Sequence, residues 1–160
     1  MKEVEDFLKN ESIEYVLHEH PPVYTCEEAK KHCSHVPGVA SKNLFLRDDK
    51  KRRYFLVVLS SEKRVNLKQL SEVLGVKRLT FASDQDLKAK LGLEPGAVSI
   101  FGLLNDKDVE VELFIDMNFY EQSVVNFHPN RNTASVELKN EMFNKALKSL
   151  QHEYNIVELD

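Results

Sequence analysis

Glycine and proline are scarce in this chain, five of each in 160 residues. That leaves little room for long flexible linkers, and neither an internal repeat nor a low-complexity tract is present. No apolar run approaches the roughly 18 residues that a membrane-spanning helix needs, and the short acidic N-terminus lacks the pattern of a signal peptide. Cysteine is rarer still, with Cys26 and Cys33 the whole supply. They stand seven residues apart where one helix is expected, outside any metal-ligand spacing, so reduced thiols in a cytoplasmic protein are expected rather than a disulfide. The familiar catalytic signatures are also missing: no phosphate-cradling glycine loop, no His-Glu-x-x-His, no Cys-x-x-Cys and no Gly-x-Ser-x-Gly. His18 and His20 could share a strand face, but no third ligand accompanies them, so they read as structural and no metal site is expected. Cys26 as a nucleophile would need an activating base, and none is identifiable.

The apolar content is ordinary, enough for one globular domain with a full core over residues 1–160. A net charge of −4 argues against indiscriminate binding to polyanions. Its distribution says more. Residues 40–80 carry eleven Lys or Arg against four Asp or Glu, whereas residues 81–160 carry seven against fourteen. The stretch Arg47 to Arg53 concentrates the positive side. A basic face on an acidic protein suits a short, specific contact with a nucleic-acid backbone, and a solvated hairpin tip explains it equally well.

Val4, Phe7 and Leu8 stand at helical spacing within residues 1–10, and Ile13 to His18 reads as a strand stopped by His20-Pro21-Pro22. Thr25 with Glu28 forms a capping box for a helix over 26–34, and Pro37-Gly38 turns the chain into Ser41-Lys42. Strands around Leu44 and Leu56 form a hairpin. Asn66 caps a helix that buries Leu67, Leu70, Val73 and Leu74 and ends at Gly75. Arg78 to Phe81 is a short strand, and Ser83 caps a further helix that stops at Gly92. Glu94-Pro95-Gly96 is a turn. A second hairpin is expected between Val98–Leu104 and Val109–Ile115, with Val109, Val111, Leu113 and Ile115 inward and Glu110, Glu112 and Asp116 outward. A third joins Ser123–His128 to Thr133–Leu138, a C-terminal helix buries Met142, Phe143, Ala146, Leu147 and Leu150, and Ile156-Val157 adds a last strand. The fold class is α/β (α+β): a mixed, largely antiparallel sheet flanked by helices.

Within that frame, Lys42 is out of place. Alternation puts Lys42, Leu44 and Leu46 on one face and Asn43, Phe45 and Arg47 on the other. The neighbouring run Tyr54 to Leu59 is apolar throughout, so it is covered on both faces. A buried ammonium is costly unless it meets an anion, while a strand-edge lysine can snorkel to water; spacing alone leaves both readings. His128 closes an apolar strand just before proline, and its imidazole can donate or accept near neutral pH or serve only as a strand-end hydrogen bonder. Gly96 and Gly102 fit a turn and a bulge.

Taken together, His20-Pro21-Pro22-Val23-Tyr24-Thr25-Cys26-Glu27-Glu28-Ala29, Lys42-Asn43-Leu44-Phe45-Leu46, Gly96-Ala97-Val98-Ser99, Leu103-Leu104-Asn105-Asp106 and Asn126-Phe127-His128-Pro129 resemble the YbaK/prolyl-tRNA synthetase-associated domain family. The match is collinear from about residue 15 to the C-terminus. The segment around Phe127-His128-Pro129 resembles the free-standing Ala-tRNA(Pro) deacylases (the ProX or PrdX type) more than the Cys-tRNA(Pro) deacylases. The resemblance implies the curved editing-domain sheet and a trans-editing hydrolase that cleaves the ester of mischarged prolyl-tRNA, most simply Ala-tRNA(Pro). A Cys-tRNA(Pro) deacylase and a non-catalytic tRNA-binding module of the same fold are the alternatives. It further implies that Lys42 meets the 3′-terminal adenosine and its phosphate, that Asn43 fixes the ribose or ester, and that Gly96 opens a loop whose backbone N–H groups approach the substrate carbonyl. His128 would bound the aminoacyl pocket; Cys26, Ala29, Ala97, Val98, Ser99 and Phe127 would line it. Ile100 stands where the family's loop ends in proline. Neither cofactor nor metal is implied. The partners implied are mischarged tRNA(Pro) and prolyl-tRNA synthetase, with no membrane and no DNA.

Overall fold

The computed structural model describes residues 2–159, with the side chain of Cys26 outside the described part. From the N-terminus run α1 (Lys2–Asn10), β1 (Val16–Glu19), α2 (Cys26–Cys33), β2 (Val39–Asp48), β3 (Tyr54–Ser60), α3 (Leu67–Leu74), β4 (Leu79–Phe81) and α4 (Asp84–Leu91). A three-ten helix (Ile100–Asn105) follows, then β5 (Val111–Asp116), the short α5 (Met117–Tyr120), β6 (Val124–Phe127), β7 (Ala134–Lys139), α6 (Asn140–Ser149) and β8 (Tyr154–Val157). The starts of α2, α3 and α4 are set by side-chain oxygens of Thr25, Asn66 and Ser83, which accept from N–H groups of the first helical turn. Gly75 and Gly92 end α3 and α4 in the left-handed conformation.

Eight strands form one sheet in the order β1-β7-β6-β2-β3-β5-β8, with β4 added to β2. β3 lies inside it, antiparallel to β2 and parallel to β5, and Phe55 to Leu59 are fully buried. Alternation divides the apolar side chains between two cores. Phe45, Leu56, Val58, Leu113 and Ile115 face a core completed by α1, α4, the three-ten helix and α6. Leu46, Phe55, Val57, Leu59 and Phe114 face a second core that α3 closes with Leu70 and Leu74. Helices thus cover both faces, as the unbroken apolar run of β3 requires.

The sheet is mixed, as expected, but three of its seven pairings are parallel: β2 with β6, β3 with β5 and β5 with β8. The expected second hairpin does not form. Its first arm is the three-ten helix, opened by the Ser99 hydroxyl, which accepts from the Phe101 N–H. The following loop is tied by Asp106, whose carboxylate accepts from the N–H groups of Glu110 and Val111 and hydrogen-bonds His152 Nε2 at 2.7 Å. β5 therefore enters beside β3 rather than folding back on residues 98–104. Two orientations change with it: Val109 is half exposed, and Asp116, expected outward, is only 1% exposed. Val73, expected in the core, is exposed on α3.

Candidate active site

β2 changes neighbours along its length. Val39 and Ala40 pair with β6, while Ser41 onward pairs with β3. Beside that changeover lies a cavity of about 370 Å³, lined by Ala40 to Asn43 of β2, Ala29 and Cys33 of α2, Val23 to Thr25, Ser61 and Glu62, Gly96 and Val98, Asn126 to His128 and Ser135. It collects residues from most of the chain onto one end of one strand.

Lys42 reaches this cavity half-buried. Its ammonium donates to the Lys63 carbonyl at 2.6 Å, and no carboxylate pairs with it among the described residues. An ammonium has three donors, so two remain for another acceptor. Lys63 is itself clamped: its Nζ lies 2.8 Å from Oδ2 of the buried Asp116, whose Oδ1 accepts from the Leu159 N–H. Asn43, next in β2, also lines the cavity. Its Nδ2 donates to the Ser41 hydroxyl at 3.0 Å, while its Oδ1 is buried with no hydrogen-bond partner. A buried acceptor left unpaired is costly unless a ligand supplies the donor.

At the cavity wall His128 meets His20 edge-on, ring centres 6.0 Å apart. The His128 Nδ1 lies 2.9 Å from the Ala134 carbonyl. A carbonyl can only accept, so Nδ1 carries the proton and Nε2 presents a lone pair. Burial lowers the His128 pKa; the Ala134 carbonyl opposes that shift and nearby His20 adds to it. The ring is therefore neutral at pH 7. His20 Nδ1 donates to the Pro21 carbonyl at 2.9 Å, and its Nε2 lies 3.0 Å from the Ser135 hydroxyl. Burial raises the Cys33 pKa and nearby Ser135 opposes that shift only in part, leaving a thiol rather than a thiolate nucleophile.

The glycine-led loop contributes only part of itself to the cavity. Gly96 lies at the cavity with φ +88°, and a Cβ built there would sit 3.2 Å from Cδ1 of Tyr24. Val98 lines the cavity, but Ala97 and Ser99 do not. Ala97 is buried and spends its N–H on the Glu94 carbonyl, and Ser99 is consumed as the three-ten cap. Ile100 opens the three-ten helix and packs into the larger core, 2% exposed. Ala29 and Phe127 also line the cavity, and the Cys26 side chain falls outside the described residues. Sequence reasoning misses Cys33, Ser61, Glu62 and Ser135, which stand apart from Lys42 in the chain and carry no motif of their own.

Fold and site define a class: a mixed sheet with a cavity lined by a lysine, an asparagine and a neutral histidine, fit to hold a polar, anion-bearing ligand. The chain belongs to the aminoacyl-tRNA editing domain family, whose sequence model matches residues 20–146. It is 43% identical over 147 residues to the prolyl-tRNA editing protein ProX of Acetoanaerobium sticklandii, an alignment covering 92% of this chain and 90% of that protein. It is 36% identical to prolyl-tRNA synthetase associated domain-containing protein 1 of Danio rerio, over 99% of this chain and 87% of the relative. Among solved structures, a candidate trans-editing enzyme for prolyl tRNA synthetase superposes with a TM-score of 0.74 at 16% identity, covering 99% of this chain and 95% of the other, which establishes a shared fold.

Proposed function

We propose that the protein is a trans-editing aminoacyl-tRNA deacylase that hydrolyses the ester of mischarged tRNA(Pro), with alanine as the amino acid removed. The observation that carries this reading is the Lys42 ammonium, held by one carbonyl with two donors to spare, in a cavity that Asn43 and His128 also line. Lys42 holds the phosphate of the terminal nucleotide. Asn43 Oδ1 accepts from a ribose hydroxyl or the amino group of the amino acid. A water attacks the ester carbonyl, and His128 Nε2 takes its proton. The carbonyl carbon then expels the ribose oxygen, which receives that proton, and alanine and tRNA leave. Holding ester, water and base in one cavity supplies most of the acceleration, so no side-chain nucleophile is required, consistent with the protonated Cys33.

Alanine fits a wall built from Ala29, Val98 and Phe127. The proline ring is bulkier and fixes its amine, so steric clash excludes it; a methylene too few or too many is worth roughly 1–3 kcal/mol in such a pocket. Cys-tRNA(Pro) should be a poor substrate. The test is three parallel time courses with Ala-, Cys- and Pro-tRNA(Pro) at catalytic protein concentration. Rapid loss of the alanyl ester alone supports the proposal. Preferential loss of the cysteinyl ester would reassign the substrate, and stability of all three would leave a tRNA-binding module.

A further inference from the structure

We infer that Tyr24 is the stacking platform for the base of the substrate's terminal nucleotide. The chain has nine phenylalanines and five tyrosines, and nearly all of them are drawn into the two cores. Tyr24 and Phe81 are the exceptions, 68% and 60% exposed. Phe81 lies on β4 away from the cavity, whereas Tyr24 lines it. A single exposed aromatic is unremarkable on most surfaces; one at the mouth of a cavity that receives the end of a nucleic acid is not.

The backbone that carries the ring is also held. On one side of it, the Val23 N–H donates to the Asn132 carbonyl and Asn132 Nδ2 donates back to the Val23 carbonyl at 3.0 Å. On the other, Thr25 caps α2. Beneath it lies Gly96, whose missing Cβ would crowd the ring at 3.2 Å. Glycine at that position thus seats the tyrosine as well as allowing the positive φ, and the rest of the ring faces solvent.

This inference rests on the proposed deacylase reading. If the ester lies between Lys42 and His128, the ribose that bears it lies at the cavity mouth, and its base must leave the cavity there. An aromatic ring accepts any base by stacking, since every base has a π-face.

The absence of tryptophan makes the test direct: Tyr24→Trp introduces a single indole at the platform. Two probes are titrated, an acceptor-stem minihelix carrying alanine through an amide in place of the ester, and the same minihelix with an abasic terminal nucleotide. Indole fluorescence should be quenched by the first probe and not by the second. Tyr24→Ala should weaken binding of the intact probe roughly tenfold, leave binding of the abasic probe unchanged, and keep the wild-type melting temperature; Tyr24→Phe should bind like wild type. Unchanged binding of the intact probe by Tyr24→Ala, or equal weakening for both probes, overturns the platform. Wild-type protein that neither binds the intact probe nor deacylates any of the three esters overturns the deacylase reading instead.

Discussion

The two ends of β2 carry positive charge in different ways. At the far end, the turn into β3 gathers Arg47, Lys50, Lys51, Arg52 and Arg53, the densest cationic stretch in the chain. Yet Arg47 is paired with Asp86 at 2.8 Å, and Arg53 is held by both oxygens of Glu112 while lying over the Phe55 ring. Lys50, Lys51 and Arg52 project into solvent, where each is screened and hydrated. At the near end stands Lys42, half-buried, with a carbonyl for a partner and a cavity in front of it. Water competes less for an anion there, and the surrounding low dielectric strengthens any contact made. The number of charges marks the hairpin; their surroundings mark Lys42.

Substitutions at the two ends should therefore differ widely in effect. Lys42→Ala should lower kcat/KM for Ala-tRNA(Pro) by about 100-fold or more, in the range for loss of one well-placed donor, while the melting temperature stays near wild type. A collapse in stability with activity intact per folded molecule would make Lys42 structural. Next in size is Asp116→Asn, which removes the clamp on Lys63 and so loosens the carbonyl that aims Lys42. Deacylation should fall roughly tenfold, and urea unfolding should show a loss of about 1–3 kcal/mol, since Lys63 can still reach water. Equal activity would show that Lys42 holds its position without the clamp.

His128 gives the third difference, read through pH. Its folded pKa lies below the ordinary histidine value near 6.5, because burial disfavours the charged ring. The neutral, base-competent form therefore persists at pH 6.5, and the rate should fall only as pH drops through the depressed value. The associated stability is present above 6.5 and lost on further acidification. His128→Gln should remove this acidic limb from the pH–rate profile; an unchanged limb would assign it elsewhere. The smallest effect belongs to the hairpin. Replacing Lys50, Lys51 and Arg52 by alanine should lower the slope of log affinity against log salt by about 0.7–0.9 for each phosphate that is no longer neutralised, with kcat unchanged. An unaltered slope would place the tRNA backbone away from this turn.

Much of this arrangement is legible in the sequence where the determinants are local. Thr25, Asn66 and Ser83 announce helix starts, Gly75 and Gly92 announce ends, and the hairpins β2–β3 and β6–β7 follow from adjacent alternating runs. Lys42 is conspicuous because one period-2 pattern exposes it, and His128 because proline follows it. The misread region depends on partners far off in the chain. Residues 98–104 are apolar enough for a buried strand, and periodicity cannot separate that from a buried helix. The deciding contacts, Ser99 to the Phe101 N–H and Asp106 to His152, are a cap within a short apolar run and a bond to the C-terminal region. Asp116 reads as the polar face of an amphipathic strand; its partners, Lys63 and Leu159, come from distant parts of the chain. Likewise Ser135 joins the cavity only because β7 lies between β1 and β6.

The most direct test of where the aminoacyl end sits is a nitrogen-15 spectrum of the protein titrated with the amide-linked alanyl minihelix. The largest shifts should fall on Ser41 to Asn43, Ala29 and His128, with the Asn43 side-chain amide among them, and residues 48–53 should move little. Large shifts confined to residues 48–53, with Lys42, Asn43 and His128 unmoved, would contradict the assignment of the site to the cavity end of β2.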